Sequence, residues 1–249
     1  MKKLCVYLIF FIISVFINAE SKEFKFQTGL YIKNVKNIYV GMKKDTFYFP
    51  YFQIKYKNIN FDGDRIDYSL YKNENLYFNA NIKLNYDGYN PEKSEKLQNM
   101  KKKYGGILAG IELKYFSEKT GSKLKLGLDK DISEKSDGIV SEIEAQQLIP
   151  IINNLYFGVN AGVKYMDSKY TNYYYGVKEN EKTAVRDIYN LSSDINKKAG
   201  ISLIYFDNKK FTALISYEKE FLGENIKNSP IVDKNMRDTI TFFAAYNFK

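Results

Sequence analysis

The sequence predicts an all-β protein, an antiparallel transmembrane β-barrel. Three observations point to it. Segments of about ten residues with alternating polarity recur from residue 20 to residue 249, as barrel strands require. Many apolar faces close on tyrosine. Short connections alternate with long ones along the chain. The last stretch, Thr239 to Phe248, shows the pattern plainly. Ile240, Phe242, Ala244, Tyr246 and Phe248 fall on one face of a strand, and Thr239, Thr241, Phe243, Ala245 and Asn247 on the other. Tyr246 and Phe248 are then the terminal assembly signal of a closing strand. A half-buried strand of a soluble sandwich would look the same, so the earlier segments must decide.

Taken in order, they agree with one another. Phe24, Phe26, Thr28, Leu30 and Ile32 form the first apolar face. Phe52, Ile54 and Tyr56 follow Pro50, and then come Ile66, Tyr68 and Leu70. Leu76, Phe78, Ala80, Ile82, Leu84 and Tyr86 alternate with Tyr77, Asn79, Asn81, Lys83, Asn85 and Asp87. Further faces are Ile107 to Tyr115, Leu124 to Leu128, Ile139 to Ile149, Leu155 to Tyr165, Ala199 to Tyr205 and Phe211 to Tyr217. Tyr56, Tyr86, Tyr115, Tyr165, Tyr205, Tyr217 and Tyr246 end such faces, where an interfacial aromatic girdle belongs. A soluble sandwich has no reason to place tyrosine there so often.

Short turns fall at Lys72–Glu74, Ser117–Lys119, Pro150–Asn153 and Asp207–Lys209. Long loops fall at Gly88–Tyr104, Met166–Asn196 and Leu222–Met236, with Lys130–Asp137 between the two classes. Short inner turns and longer outer loops are the barrel pattern. The apolar faces after Pro50 give ten strands, preceded by one more apolar segment. An even number closes the sheet with both ends on one side. Phe24 to Asp45 therefore either supplies two strands, making about twelve, or lies in the lumen of a ten-stranded barrel; twelve is the preferred count.

The composition fits. The chain has 23 Tyr and 18 Phe but only 4 Pro, which opposes disorder, a state poor in aromatics. Residues 1–19 read as a signal peptide: Lys2 and Lys3, the apolar run Leu4–Ile17, and a cleavage point after Ala19. The barrel domain is then 20–249, and export leads to the outer membrane of a Gram-negative envelope. The only cysteine, Cys5, lies in that leader, so the exported chain carries no thiol, disulfide or cysteine metal site. The net charge is +9, but the lysines are scattered over strands and loops of an exported chain, so no nucleic-acid partner is expected.

The chain has no histidine, which removes serine–histidine and aspartate–histidine catalysis. No cofactor or metal is expected, and no enzymatic activity. Asp62-Gly63-Asp64 holds only a fragment of a calcium loop and reads as a turn. The polar faces between Gly105 and Pro150 carry Glu112 and Lys114, then Lys123, Lys125 and Asp129, then Glu142 and Glu144. Sequential antiparallel strands are neighbours, so acidic and basic rows alternate around the lumen. The expectation is that Lys123 and Lys125 are clamped between Glu112 and the Glu142/Glu144 pair. The alternative is a wet channel wall whose charges never meet.

Four short stretches carry a family resemblance. Leu97 to Tyr115 runs L-Q-N-M-K-K-K-Y-G-G-I-L-A-G-I-E-L-K-Y. Tyr173-Tyr174-Tyr175-Gly176-Val177 is followed by Glu181, and Asn228-Ser229-Pro230-Ile231-Val232 precedes the last strand. Tyr39 and Gly41 form an early Y-x-G. In this order they resemble the MipA/OmpV family of outer-membrane barrels, which has L-x-G-M, Y-Y-G-V-x-x-x-E and S-P-I-V segments. Leu97, Met100, Tyr174, Tyr175, Gly176, Val177, Ser229 and Pro230 match its motifs; Asn99 stands where the family has glycine. The competing reading makes Tyr173 to Tyr175 girdle aromatics and Ser229-Pro230 a plain turn. The resemblance implies contact with outer-membrane lipid and with barrel-assembly machinery. It further implies a scaffold joining a lytic transglycosylase to a peptidoglycan synthase. A small-solute pore and an adhesin acting through the outer loops are the alternatives.

Overall fold

The computed structural model describes residues 24–207 and 210–248. The expected leader, Cys5 and Lys249 lie outside the described residues. The strands are β1 (Phe24–Val35), β2 (Asp45–Tyr56), β3 (Ile59–Asp62), β4 (Arg65–Lys72), β5 (Leu76–Leu84) and β6 (Ile107–Ser117). They continue with β7 (Ser122–Asp131), β8 (Ile139–Ile152), β9 (Leu155–Met166), β10 (Asp194–Phe206), β11 (Phe211–Phe221) and β12 (Met236–Phe248). Each pairs antiparallel with its sequence neighbours, and β1 pairs with β12 from Phe26↔Phe248 to Val35↔Thr239, closing the barrel. Closure leaves no free sheet edge around most of the wall, which is what a membrane demands.

Period-two alternation places the side chains. Ile111, Leu126, Ile143, Val159, Ile201, Ile215 and Phe242 are exposed on the outside. Gln27, Asn79, Asn81, Glu112, Asp129 and Ser202 are buried inside. Apolar residues outside and polar ones inside invert the order of a soluble protein and match a lipid-embedded wall. Tyr115, Tyr205 and Tyr246 lie on the outward face near the short-turn rim. Tyr86, Tyr165 and Tyr217 lie on it toward the long-loop rim. All six are exposed.

Twelve strands are present among the described residues, but not by the expected route. Residues 24–45 hold one strand and a loop, not two strands. The extra strand is β3, four residues long, joined to β4 by the tight turn at Gly63, whose φ is +61°. A strand this short is too brief to show alternation. The expected turn at Pro150–Asn153 also shifts: β8 runs through Pro150 to Ile152, and Asn154 makes the turn at φ +66°.

Candidate functional site

The long loops fold over the outer end of the barrel as a cap with its own core. They are the segments 36–44, 85–106, 167–193 and 222–235. Ile38, Tyr39, Tyr89, Leu97, Met100, Tyr170, Tyr174, Tyr175, Val177, Leu191, Ile226 and Ile231 form one buried cluster there with Met166 and Val140 of the wall. The helix α1 (Ser168–Tyr175) supplies its centre. Asp167 caps this helix, its carboxylate accepting the Tyr170 N–H at 2.9 Å, so one of the helix's free amides is satisfied. Tyr170, Thr171, Tyr174 and Tyr175 then point into the cluster. A second short helix, α2 (Glu224–Lys227), buries Ile226 against it.

Polar groups tie the loops together. Ser229 Oγ donates to the Tyr175 carbonyl at 2.6 Å. The buried Glu181 carboxylate accepts the Lys101 N–H at 3.0 Å and the Lys178 N–H at 3.1 Å. Arg186 donates to the carbonyls of Lys96 at 3.0 Å, Gln98 at 2.8 Å and Glu181 at 2.8 Å. Tyr39 stacks on Tyr175 with ring centres 5.9 Å apart. Gly41 has φ +71°, and a Cβ there would lie 2.4 Å from Ser94 Oγ, so the turn beside Tyr39 requires glycine.

The motif residues converge on this cap. Leu97, Met100, Tyr174, Tyr175, Gly176, Val177 and Ser229 are all buried in it, and only Pro230 faces solvent. Tyr174 and Tyr175 are therefore core residues, not girdle aromatics, because α1 turns them inward. Asn99 keeps a φ of +66°, the left-handed conformation glycine would adopt, and asparagine is among the residues that tolerate it.

Below the cap lies a knot of charge. Asp87 receives the Tyr170 hydroxyl at 2.6 Å, Lys164 Nζ at 3.1 Å and Arg237 Nη1 at 2.9 Å. Arg237 also reaches Glu220 at 3.4 Å, and Glu220 accepts Asn196 Nδ2 at 2.8 Å. Burial pushes the Asp87 carboxyl up. The cations Lys164 and Arg237, with the Tyr170 hydrogen bond, outweigh it and hold the group well below the usual carboxylate range. Burial drives the Tyr170 hydroxyl well above its ordinary value, and the Asp87 charge adds to that, so it stays a donor.

The lumen charges pair, only in part with the partners the sequence suggested. Lys125 lies 3.5 Å from Glu142 and 3.3 Å from Glu144, and Lys198 of β10 reaches Glu144 at 2.5 Å. Glu112 is taken by Arg65 at 2.7 Å and by Lys114 at 2.5 Å, and it does not contact Lys123 or Lys125. Asp129 is held by Lys83 at 2.7 Å. Among the described residues Lys123 makes no ion pair. The expected clamp is thus corrected in part: Lys125 meets Glu142 and Glu144, but Glu112 is held by Arg65 of the short β4 and by Lys114. Arg65, Lys83, Lys198 and Asp67, which accepts from Arg65 Nε at 2.6 Å, were missed, although alternation alone puts Lys83 and Lys198 on the lumen face. Between cap and network remains a cavity of about 670 Å³.

A capped barrel with an apolar belt and a lumen wall lined with ion pairs is an integral outer-membrane protein. The family profile described as MltA-interacting protein MipA matches residues 29–248, and the chain belongs to that family. Outer membrane protein OmpV of Vibrio cholerae is 31% identical over 146 residues, 53% of this chain and 56% of that protein. Outer membrane protein Omp26La of Vibrio anguillarum is 32% identical over 148 residues, 53% of this chain and 56% of that protein. The aligned region thus spans a little over half of these relatives. Among solved structures, a bacterial polysaccharide outer membrane secretin has a TM-score of 0.47 at 11% identity, covering 93% of this chain and 100% of that one. The NanC porin has a TM-score of 0.43 at 8% identity, covering 90% of this chain and 98% of that one.

Proposed function

We propose that this barrel is a non-enzymic, non-conducting docking protein for the machinery that cuts and builds the cell wall. The observation that supports this is the packed cap. Four loops share one buried core across the outer mouth, and ion pairs between nearby strands line the lumen wall beneath it. A solute path would have to break the cap. A barrel closed in this way offers its surfaces, not its lumen. A lytic transglycosylase is the partner class that the resemblance to this family implies, and a peptidoglycan synthase is the second.

The test combines two measurements on the full chain. Cross-linking in intact envelopes, followed by purification, should recover a murein hydrolase or synthase. Planar bilayers should show little conductance. Free conductance with selectivity tracking lumen charge would replace the docking reading with a pore. Loss of surface attachment when 167–193 is deleted, with no wall enzyme recovered, would replace it with an adhesin.

A further inference from the structure

The barrel wall has one built gap. The hairpin β3–β4 is cut short at Gly63, level with Phe52: the Gly63 N–H donates to the Phe52 carbonyl at 2.9 Å, and the last β2–β3 pair is Gln53↔Asp62. Residues 45–51 of β2 therefore have no strand beside them on that flank. On the other flank, β5 pairs up to Leu84, which donates to the Asp64 carbonyl at 3.0 Å. The opening lies between the upper half of β2 and residues 84–88.

Such a gap is unusual at membrane depth, where lipid cannot satisfy a free strand edge. Here the edge is blunted. Phe52 and Pro50 present their backbones on the same flank, two residues apart. Pro50 carries no N–H, so this flank has one donor fewer and cannot pair fully with another strand. The outer rim of the gap is apolar and exposed: Tyr48, Phe52, Leu84 and Tyr86. The inner rim is aromatic. Tyr86 leans across the gap to within 6.4 Å of the Phe47 ring and 6.1 Å of the Phe49 ring, and Phe49 lies 6.4 Å from Tyr31.

Phe47 and Phe49 point into the lumen and line the cavity of about 670 Å³, within the size of a small-ligand pocket. Lys33 is the cross-strand neighbour of Phe47 and lines the same cavity. The other lumen cations there are engaged: Arg65 with Glu112, Lys83 with Asp129, Lys198 with Glu144, and Lys164 and Arg237 with Asp87. Among the described residues the Lys33 side chain makes no hydrogen bond or ion pair, although the Asp64 and Glu218 carboxylates line the same cavity. One uncommitted cation thus stands directly behind an aromatic gate that opens toward lipid.

We propose that this gap is a lateral portal and the cavity a binding site for a single-chain anionic amphiphile drawn from the outer half of the membrane. The chain lies against Phe47, Phe49 and Tyr86. The carboxylate or other anionic head meets Lys33. The site is independent of which protein partner docks on the barrel.

The test uses purified full-length protein in lipid nanodiscs with cis-parinaric acid as the fluorescent probe and dodecanoate as competitor. Wild type should bind the probe saturably at one site, and dodecanoate should displace it. Dodecyltrimethylammonium should not. Lys33→Met should weaken probe binding at least tenfold while the protein keeps its heat-modifiable folded band. The portal is tested on folded protein by labelling Tyr86→Cys with a bulky maleimide, with Val159→Cys on the far wall as control. Label at position 86 should slow probe uptake several-fold, and label at 159 should not. A two-chain phosphatidylglycerol that competes equally well overturns the single-chain assignment; dodecanoate competing alone supports it. Non-saturable uptake, or affinity unchanged in Lys33→Met, overturns the site. Equal uptake with either label overturns the portal.

Discussion

The hydroxyl of Tyr170 donates to Asp87 at 2.6 Å, joining the cap helix to the charge knot at the top of the barrel. Tyr170 arrives from the loop after β9 and Asp87 from the loop after β5, 83 residues apart. The carboxylate also neutralises Lys164 and Arg237. One acid therefore fixes the cap on the wall and keeps two buried cations compensated.

Asp87→Asn should accordingly destabilise the protein by about 3–5 kcal/mol at neutral pH, because it leaves the buried Lys164 without its ion-pair partner and Arg237 with Glu220 alone. The pH dependence follows from the depressed acidity. A group with a lowered folded-state pKa contributes fully above its unfolded value, near 4 for aspartate. That contribution fades as the pH falls below 4 toward the folded value. Wild type should keep its cap at pH 5 and lose stability only in stronger acid. Thermal unfolding from pH 3 to pH 8 should show Asp87→Asn less stable throughout and flatter below pH 4. A variant as stable as wild type at pH 7 would remove Asp87 from this role.

Leu97→Ala tests whether the cap has a core separate from the barrel. Leu97 is fully buried, and truncating such a side chain costs about 2–5 kcal/mol. The loss should fall on the loops. Limited proteolysis should cut within 85–106 or 167–193 far faster than in wild type, while the barrel remains folded and heat-modifiable. Conductance should rise with it. Unchanged protease resistance would mean that the loops are held by the wall alone.

Asn99 offers a sharper backbone test. Its φ of +66° suits glycine and asparagine but penalises a β-branched residue. Asn99→Gly should leave stability within about 1 kcal/mol of wild type. Asn99→Val should cost more than that and loosen the same loop. Equal melting temperatures for the two variants would show that the turn relaxes freely.

The fold was legible because a membrane wall writes its rule into every strand. Ile240 to Phe248 and Leu76 to Tyr86 alternate, and each tyrosine marks a rim. β3 was not legible, since four residues between two tight turns carry no period. The motif residues were visible in sequence, but their meeting in one cap was not. Leu97, Tyr174 and Ser229 come from three loops, and only the closed barrel fixes how those loops approach. The ion pairs were half legible. Alternation put Lys125 opposite Glu142 and Glu144, but Arg65 reaches Glu112 from a strand not adjacent to β6, which neighbour-by-neighbour reasoning cannot see.

The outward face of the wall should reject charge. Val159 is 37% exposed on β9, with Ile201 and Gln147 as its cross-strand neighbours. Val159→Arg should cost roughly 2–4 kcal/mol near the midplane. Gln146→Arg, on the lumen face of β8, should cost less. Folding yield into lipid vesicles measures both. Equal losses would mean that the faces are assigned wrongly.

The last prediction concerns the pairs at mid-lumen. Lys125 lies between Glu142 and Glu144, and Lys198 takes Glu144 from the other flank. All four side chains are largely shielded from solvent. Removing Lys125 leaves Glu142 without its nearest cation, while Glu144 keeps Lys198. Lys125→Ala should therefore destabilise the barrel and admit ions, whereas Lys123→Ala, which breaks no ion pair, should do neither. Lys125→Ala with Glu142→Ala should recover much of the lost stability, because both the cation and its stranded acid are gone. It should conduct still more, because the obstruction is smaller. Thermal unfolding and bilayer conductance on the same preparations separate the two effects. A Lys123→Ala protein that unfolds as early as Lys125→Ala would show that lumen charge acts as a whole and not through these contacts.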